Sequence, residues 1–344
     1  MKKSYLMIAA AAAFFAACSS NDTFKENVVE ETPITFKQSG IENLTKAALT
    51  LDWFKTNNNA FGVNGFKGAT RIFTNEKVTY SSSTSDWSHP TIRFWDKAAS
   101  NYNFYAYAPY STTAPTFDST TGYTFTSTTL ITDITTDGAD KAVAWKTNTS
   151  YAECCSTHGS HVELIFNHVL SKLAFKIKTT QDIVDAGATI TVKKIELDFP
   201  TAATSQWAQA SAGAAAGTTT FTTYAAKDGS TYETEVYNDA TGEDLTASAE
   251  DIGKTYIVYP VNTTNTEHVF GVKVTYDLEY SDGATETACV ATGTVGGGNT
   301  AATQYKPAQN DSYTVTITVD PAHIEFCVES VTGWSEKDYA VTVD

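Results

Sequence analysis

Residues 162–178 read VELIFNHVLSKLAFKIK. Val162, Leu164 and Phe166 take every second position, and a few residues on Leu173, Phe175 and Ile177 alternate with Lys172, Lys176 and Lys178. A period of two puts successive side chains on opposite faces of a strand, so the stretch predicts two half-buried strands in succession. The pattern recurs along the chain. Val272, Val274, Tyr276, Leu278 and Tyr280 share one face against Lys273, Thr275, Asp277 and Glu279; Tyr313, Val315, Ile317 and Val319 do so against Thr314, Thr316 and Thr318. Between Thr189 and Phe199 the apolar parity slips from Ile190 and Val192 to Ile195, Leu197 and Phe199, which predicts a bulge near Lys193 and Lys194. One dry and one wet face is the signature of antiparallel sheets packed as a sandwich. Parallel sheets would need crossover helices, and no helical pattern lies between the strands.

One strand departs from the rule. Tyr102-Asn103-Phe104-Tyr105-Ala106-Tyr107 is apolar on both faces, so it is expected in the centre, covered on both sides. Turn-like stretches separate the strands, among them Ser281-Asp282-Gly283 and Gly296–Gly298, and the small-residue run Ala210–Gly217 reads as a loop. Charged residues make up 18% of the chain while Tyr and Phe number 18 each, a composition that suits strands.

The N-terminus carries its own signal. Lys2 and Lys3 precede an apolar run from Leu6 to Ala17, followed by Ala16-Ala17-Cys18-Ser19. Twelve apolar residues are too few to span a bilayer as a helix, which takes about 20. They suit an export signal, residues 1–17, with small residues before the cut. A cysteine at the cut is the lipobox pattern, so Cys18 is the expected acylation site and the chain an outer-membrane, cell-surface lipoprotein. Residues 18–32 are polar and acidic and read as a flexible tether. The fold is then expected as two domains, 33–155 and 156–344.

Charge excludes one class of partner. The chain has 23 basic and 39 acidic residues; loss of Lys2 and Lys3 with the signal leaves 21 against 39. A surface near −18 repels phosphate backbones, so no nucleic-acid partner is expected. Once Cys18 is lipidated, Cys154, Cys155, Cys289 and Cys327 remain, and export permits disulfides whose pairing the sequence leaves open.

No constellation demands catalysis. Cys154-Cys155-x-x-His158-x-x-His161, with Glu163 and His168 near, has zinc-ligand chemistry, but adjacent cysteines make poor tetrahedral geometry. A loop entering a strand is the preferred reading, and no metal is expected. Gly253-Lys254-Thr255 lacks the earlier glycine of a phosphate loop, since Ser248 stands there. Nucleophile-elbow, zincin and EF-hand motifs are absent, so neither enzyme nor cofactor is expected. Trp53, Trp87, Trp95, Trp145, Trp207 and Trp334 could stack on sugars, but core or rim packing is the preferred reading.

Several blocks, in order, resemble the fimbrillin or type V pilin family of Gram-negative surface fibres: Ile34-Thr35-Phe36, then Asn43-Leu44-Thr45-Lys46-Ala47, Phe61-Gly62-Val63, NYNFYAYAP at 101–109, DKAVAW at 140–145, the Phe-x-His-x-Leu-Ser core of 164–178, Tyr256–Pro260 and Tyr313–Trp334. The resemblance implies an all-β chain of two transthyretin-like, Greek-key β-sandwich domains in tandem. It also implies polymerisation with other pilin subunits: a trypsin-like protease removes the first strand and a neighbour's C-terminal strand fills the groove. Lys46 stands where the cut is expected; Arg71, the first arginine, is the less favoured site because cutting there also removes Phe61-Gly62-Val63. Tyr339, Val341 and Val343 alternate to the last residue and form the expected donor strand. The alternative reading is a monomeric surface lipoprotein that binds glycan or host protein.

Overall fold

The computed structural model describes residues 31–41, 49–56, 59–136, 138–158, 161–227, 229–261, 267–296, 304–321 and 324–330. By its contacts the chain divides into Met1–Glu31 and Thr32–Asp344, and all that follows lies in the second unit.

Strands dominate. In chain order they are β1 Thr35–Ile41, β2 Ala60–Lys67, β3 Thr70–Ser81, β4 Asp86–Ser88, β5 Tyr102–Ala108, β6 Thr116–Asp118 and β7 Gly122–Ser127. There follow β8 Ile131–Asp133, β9 Ala142–Thr149, β10 His161–His168, β11 Ser171–Thr179, β12 Thr189–Asp198, β13 Thr204–Gln209 and β14 Gly217–Thr222. The last are β15 Thr234–Asp244, β16 Glu250–Asp251, β17 Tyr256–Val258, β18 Phe270–Glu279, β19 Thr285–Val295, β20 Ser312–Val319 and β21 Ile324–Ser330. Among the described residues three short helices interrupt them: α1 Leu51–Phe54, α2 Tyr151–His158 and α3 Gln181–Asp185.

Four sheets result. Seven strands run β1-β10-β9-β5-β2-β3-β4; a second sheet runs β21-β20-β11-β17-β8 with β16 paired to β11; two four-stranded sheets run β15-β12-β18-β19 and β14-β13-β7-β6. The all-β expectation holds, and so does the bulge: the register of β12 against β18 shifts between Val192 and Lys194. The purely antiparallel expectation does not hold, because β1 pairs parallel to β10 and β11 parallel to β20. A parallel pair needs a long connection rather than a helix as such; here the intervening chain is itself strands. The expected wet face of β20 is also dry, since Thr314, Thr316 and Thr318 are only 5%, 2% and 6% exposed on a strand flanked by β11 and β21. The stretch expected as a loop entering β10 contains α2.

Two hydrophobic cores share the seven-stranded sheet. Tyr102, Phe104 and Ala106 of β5 enter the first core with Phe36, Phe61, Phe73 and Phe166. Tyr105 and Tyr107 enter the second with Phe125, Trp207, Phe175 and Val274. That two-sided burial is what the unbroken apolar pattern of 102–107 required. β9 does the same with Ala142 and Ala144 on one side and Val143 on the other. β10 lies beyond the expected boundary at 155/156 yet pairs with β1 and β9. Gly62 has to be glycine: a Cβ there would sit 2.3 Å from the Tyr107 ring of the neighbouring strand.

The second core contains a buried histidine. His268 is fully buried beside Phe199, Phe221, Tyr224 and Tyr305. Its Nε2 donates to the Tyr259 carbonyl at 2.9 Å, so Nδ1 accepts from the Tyr224 hydroxyl at 3.0 Å. Burial lowers its pKa to about 4. A histidine with a depressed folded pKa favours folding while neutral, so its contribution is complete above pH ~6.5 and falls as acid is added toward 4, by about 3 kcal/mol in all. Urea unfolding between pH 7 and 4 is expected to show this loss, and His268→Gln to flatten the slope.

Candidate functional site

The strand that the resemblance marks for removal, β1, forms one end of the seven-stranded sheet. Its alternation places Ile34, Phe36 and Gln38 inward and Lys37 and Ser39 outward, and an irregularity between Gln38 and Gly40 returns Ile41 to the core. Phe36 is the anchor. Its ring meets Phe73 at 5.2 Å and Phe104 at 5.3 Å, both edge-on, and His89 at 5.3 Å. Edge-on aromatic pairs add to the burial of area.

Backbone and polar contacts fix the strand at both sides. Parallel pairing runs from Thr35 opposite His161 to Ile41 opposite Phe166. The Thr35 hydroxyl is 2.9 Å from His161 Nδ1. On the other side the far end of the sheet curls round to meet β1: Ile34 N–H donates to the Arg93 carbonyl at 2.7 Å and Trp95 N–H to the Thr32 carbonyl at 2.9 Å. His89 lies between, its Nε2 donating to the Ile34 carbonyl at 3.0 Å while Nδ1 stands 3.4 Å from the buried Glu76 carboxylate. The same carboxylate accepts the Thr91 N–H at 2.7 Å. Sequence reading missed Glu76 and His89, which carry no local motif.

Leu49 is held by a second buried pair. His168 Nδ1 stands 3.0 Å from Asp140, and Asp140 accepts the Leu49 N–H at 3.3 Å. Both side chains are essentially unexposed. The histidine of Phe-x-His-x-Leu-Ser and the aspartate of DKAVAW are therefore partners, and together they hold the backbone of Leu49.

Of the sequence-derived sites, Arg71 lies in β3 opposite Phe66 of β2, its guanidinium 5.0 Å from the Phe66 ring centre and 5.8 Å from that of Phe117. Cys18, Lys46, Tyr339, Val341 and Val343 lie outside the described residues. Cys154, Cys155 and Cys289 carry free thiols, and the Cys327 side chain is outside the described ones. Cys154 turns inward on α2 toward the Thr149 hydroxyl, at 3.3 Å, and burial pushes its thiol pKa up. Among the described residues no group of three or more metal-ligating side chains converges, and no helix is long and apolar enough to cross a membrane. Trp87, Trp95 and Trp207 are buried and Trp53 and Trp145 half-buried, so they pack rather than display a face; Trp334 lies outside the described residues.

A model of the fimbrillin-like family matches residues 45–334. The chain belongs to the fimbrillin-like family. Solved structures similar to it include a fimbrial protein from Bacteroides vulgatus, at 16% identity and a TM-score of 0.47, covering 88% of this chain and 99% of that one. A candidate cell adhesion protein from Bacteroides uniformis matches at 16% identity and a TM-score of 0.46, covering 90% of this chain and 98% of that one. No curated protein matches.

Truncating Phe36 to Ala is expected to cost about 3–5 kcal/mol, the range for a buried phenylalanine. Equilibrium urea unfolding of the variant checks this; a loss below about 1 kcal/mol would mean that β1 does not close the first core.

Proposed function

We propose that the chain is a structural, adhesive subunit of a cell-surface fimbria, exported as a lipoprotein acylated on Cys18 and assembled by strand exchange. The observation that carries the proposal is the place of β1: an end strand, joined to one neighbour by a parallel ladder, whose side chains fill a groove along the first core. Proteolysis after Lys46 frees β1, and the groove then takes the C-terminal strand of a neighbouring subunit, with Tyr339, Val341 and Val343 inward. Backbone hydrogen bonds supply the adhesion and the alternating side chains choose the register.

The geometry around Arg71 favours Lys46 as the cut. A protease binds its substrate as an extended segment with a free backbone, whereas Arg71 is laddered to β2 and its side chain is stacked on two rings. Lys46 falls between Ile41, the last residue of β1, and Leu49, which Asp140 holds. A cut there leaves the groove walls untouched. The partners are then further subunits of this or a related kind, with lipid as the anchor before processing.

Subunits linked by donated strands are expected to run as a ladder in mild SDS and to collapse to one band on heating. Deleting residues 337–344 should abolish the ladder and leave the fold, and N-terminal sequencing of fibre subunits should begin at Ala47. A ladder that survives the deletion removes the donor assignment, and an intact acylated Cys18 in the fibre removes the processing step.

A further inference from the structure

Gln38 is the exception in the inward row of β1. Ile34, Phe36 and Ile41 put hydrocarbon into the first core; Gln38, 4% exposed, puts a carboxamide there, opposite Leu164. Neither Oε1 nor Nε2 reaches a hydrogen-bond partner, and both atoms are shut off from solvent. A carboxamide offers two donor hydrogens and two acceptor lone pairs, and leaving such a group buried without partners opposes folding. In a free strand water satisfies them all. Nearby, an open cleft of about 540 Å³ lies along β1 and β4, its lining mostly polar, with Lys37, Ser39, Asp86 and Glu163 beside Gln38, yet the carboxamide is turned away from that water into the core.

We infer that the groove occupied by β1 is built for a strand with an apolar side chain at the Gln38 seat, so that Gln38 marks the resident strand for replacement by the C-terminal segment of a second copy. The inference rests on the strand-exchange reading above. The occupant is argued from composition: Tyr339, Val341 and Val343 alternate with neither a carboxamide nor a charge among them, so the row offers an aromatic ring and two branched alkyl groups at its three inward positions. The resident strand is strongly anchored by Phe36 and weakly seated at Gln38. The first property lets the uncut subunit fold, and the second lets an incoming strand win. Burial alone would hold β1 indefinitely, because a row uniform in hydrocarbon has nothing to gain from exchange.

Gln38→Met tests this, since methionine has the same reach without hydrogen-bonding groups. In the intact full chain the variant is expected to melt at a higher temperature than wild type; an equal or lower melting temperature overturns the inference whatever happens in exchange. For the exchange itself, a specific viral-protease site placed after Lys46 allows the full chain to be cut once. Synthetic peptide 337–344 is then added, and release of segment 1–46 is followed by gel filtration and mass spectrometry. Wild type is expected to release the segment at least tenfold faster than Gln38→Met, a factor equivalent to about 1.4 kcal/mol. Equal release from both overturns the inference and leaves strand exchange standing. No release from either overturns strand exchange and the inference with it.

Discussion

Phe36 reaches between Phe73 and Phe104 because β1 lies parallel along β10, and that single strand pair completes the first core. A parallel ladder between strands so distant in sequence is closed at a high cost in chain entropy, so it persists only where side-chain burial is large. Phe36 and Ile34, both unexposed, supply that burial. On the proposed reading β1 is also the strand that leaves. It is joined by one ladder on one side and by a few bonds from Thr32 and Ile34 to the Arg93–Trp95 segment on the other.

What β1 leaves behind does not depend on β1 alone. The sheet it ends has a second core on its other face, entered by Tyr105, Tyr107 and Val143 from strands that also serve the first. Removing an end strand from such a sheet exposes a hydrophobic trough while the remaining strands stay braced from behind. A sheet with only one buried face would lose its reason to stay flat and paired once that face was opened. Two-sided burial of β5 and β9 is thus what the proposed replacement of β1 relies on.

Much of this was legible in the sequence, for a physical reason: a strand with one buried face writes its orientation into every second residue. The parity slip at Lys193 and Lys194 located a bulge, and the unbroken apolar run at 102–107 located a central strand. Parallel pairing was not legible, because nothing in Thr35–Ile41 names β10 as its neighbour. The threonines of β20 misled because a hydroxyl on a branched side chain suits a wet face and a dry one equally. α2 was not legible, because the stretch around Cys154 and Cys155 shows no helical apolar pattern and read as a loop entering a strand; on the helix the two cysteines point in different directions, one buried and one half-exposed. Gln38 could have been found by counting: it continues the inward parity of Ile34 and Phe36. Glu76 and His89 could not, since their partnership exists only once β3, the segment after β4 and β1 have met.

The most direct test of the account is to lock β1 in place. Lys37 on β1 and Glu163 on β10 are paired and lie on the outer face, so Lys37→Cys with Glu163→Cys places two thiols at neighbouring positions of adjacent strands, within the span a disulfide bridges. Ladder formation by the oxidised and reduced forms of that variant is the measurement. No ladder is expected while the disulfide stands, and a full ladder after reduction. A ladder of equal length from the locked protein would show that subunits join without vacating β1, and would contradict it.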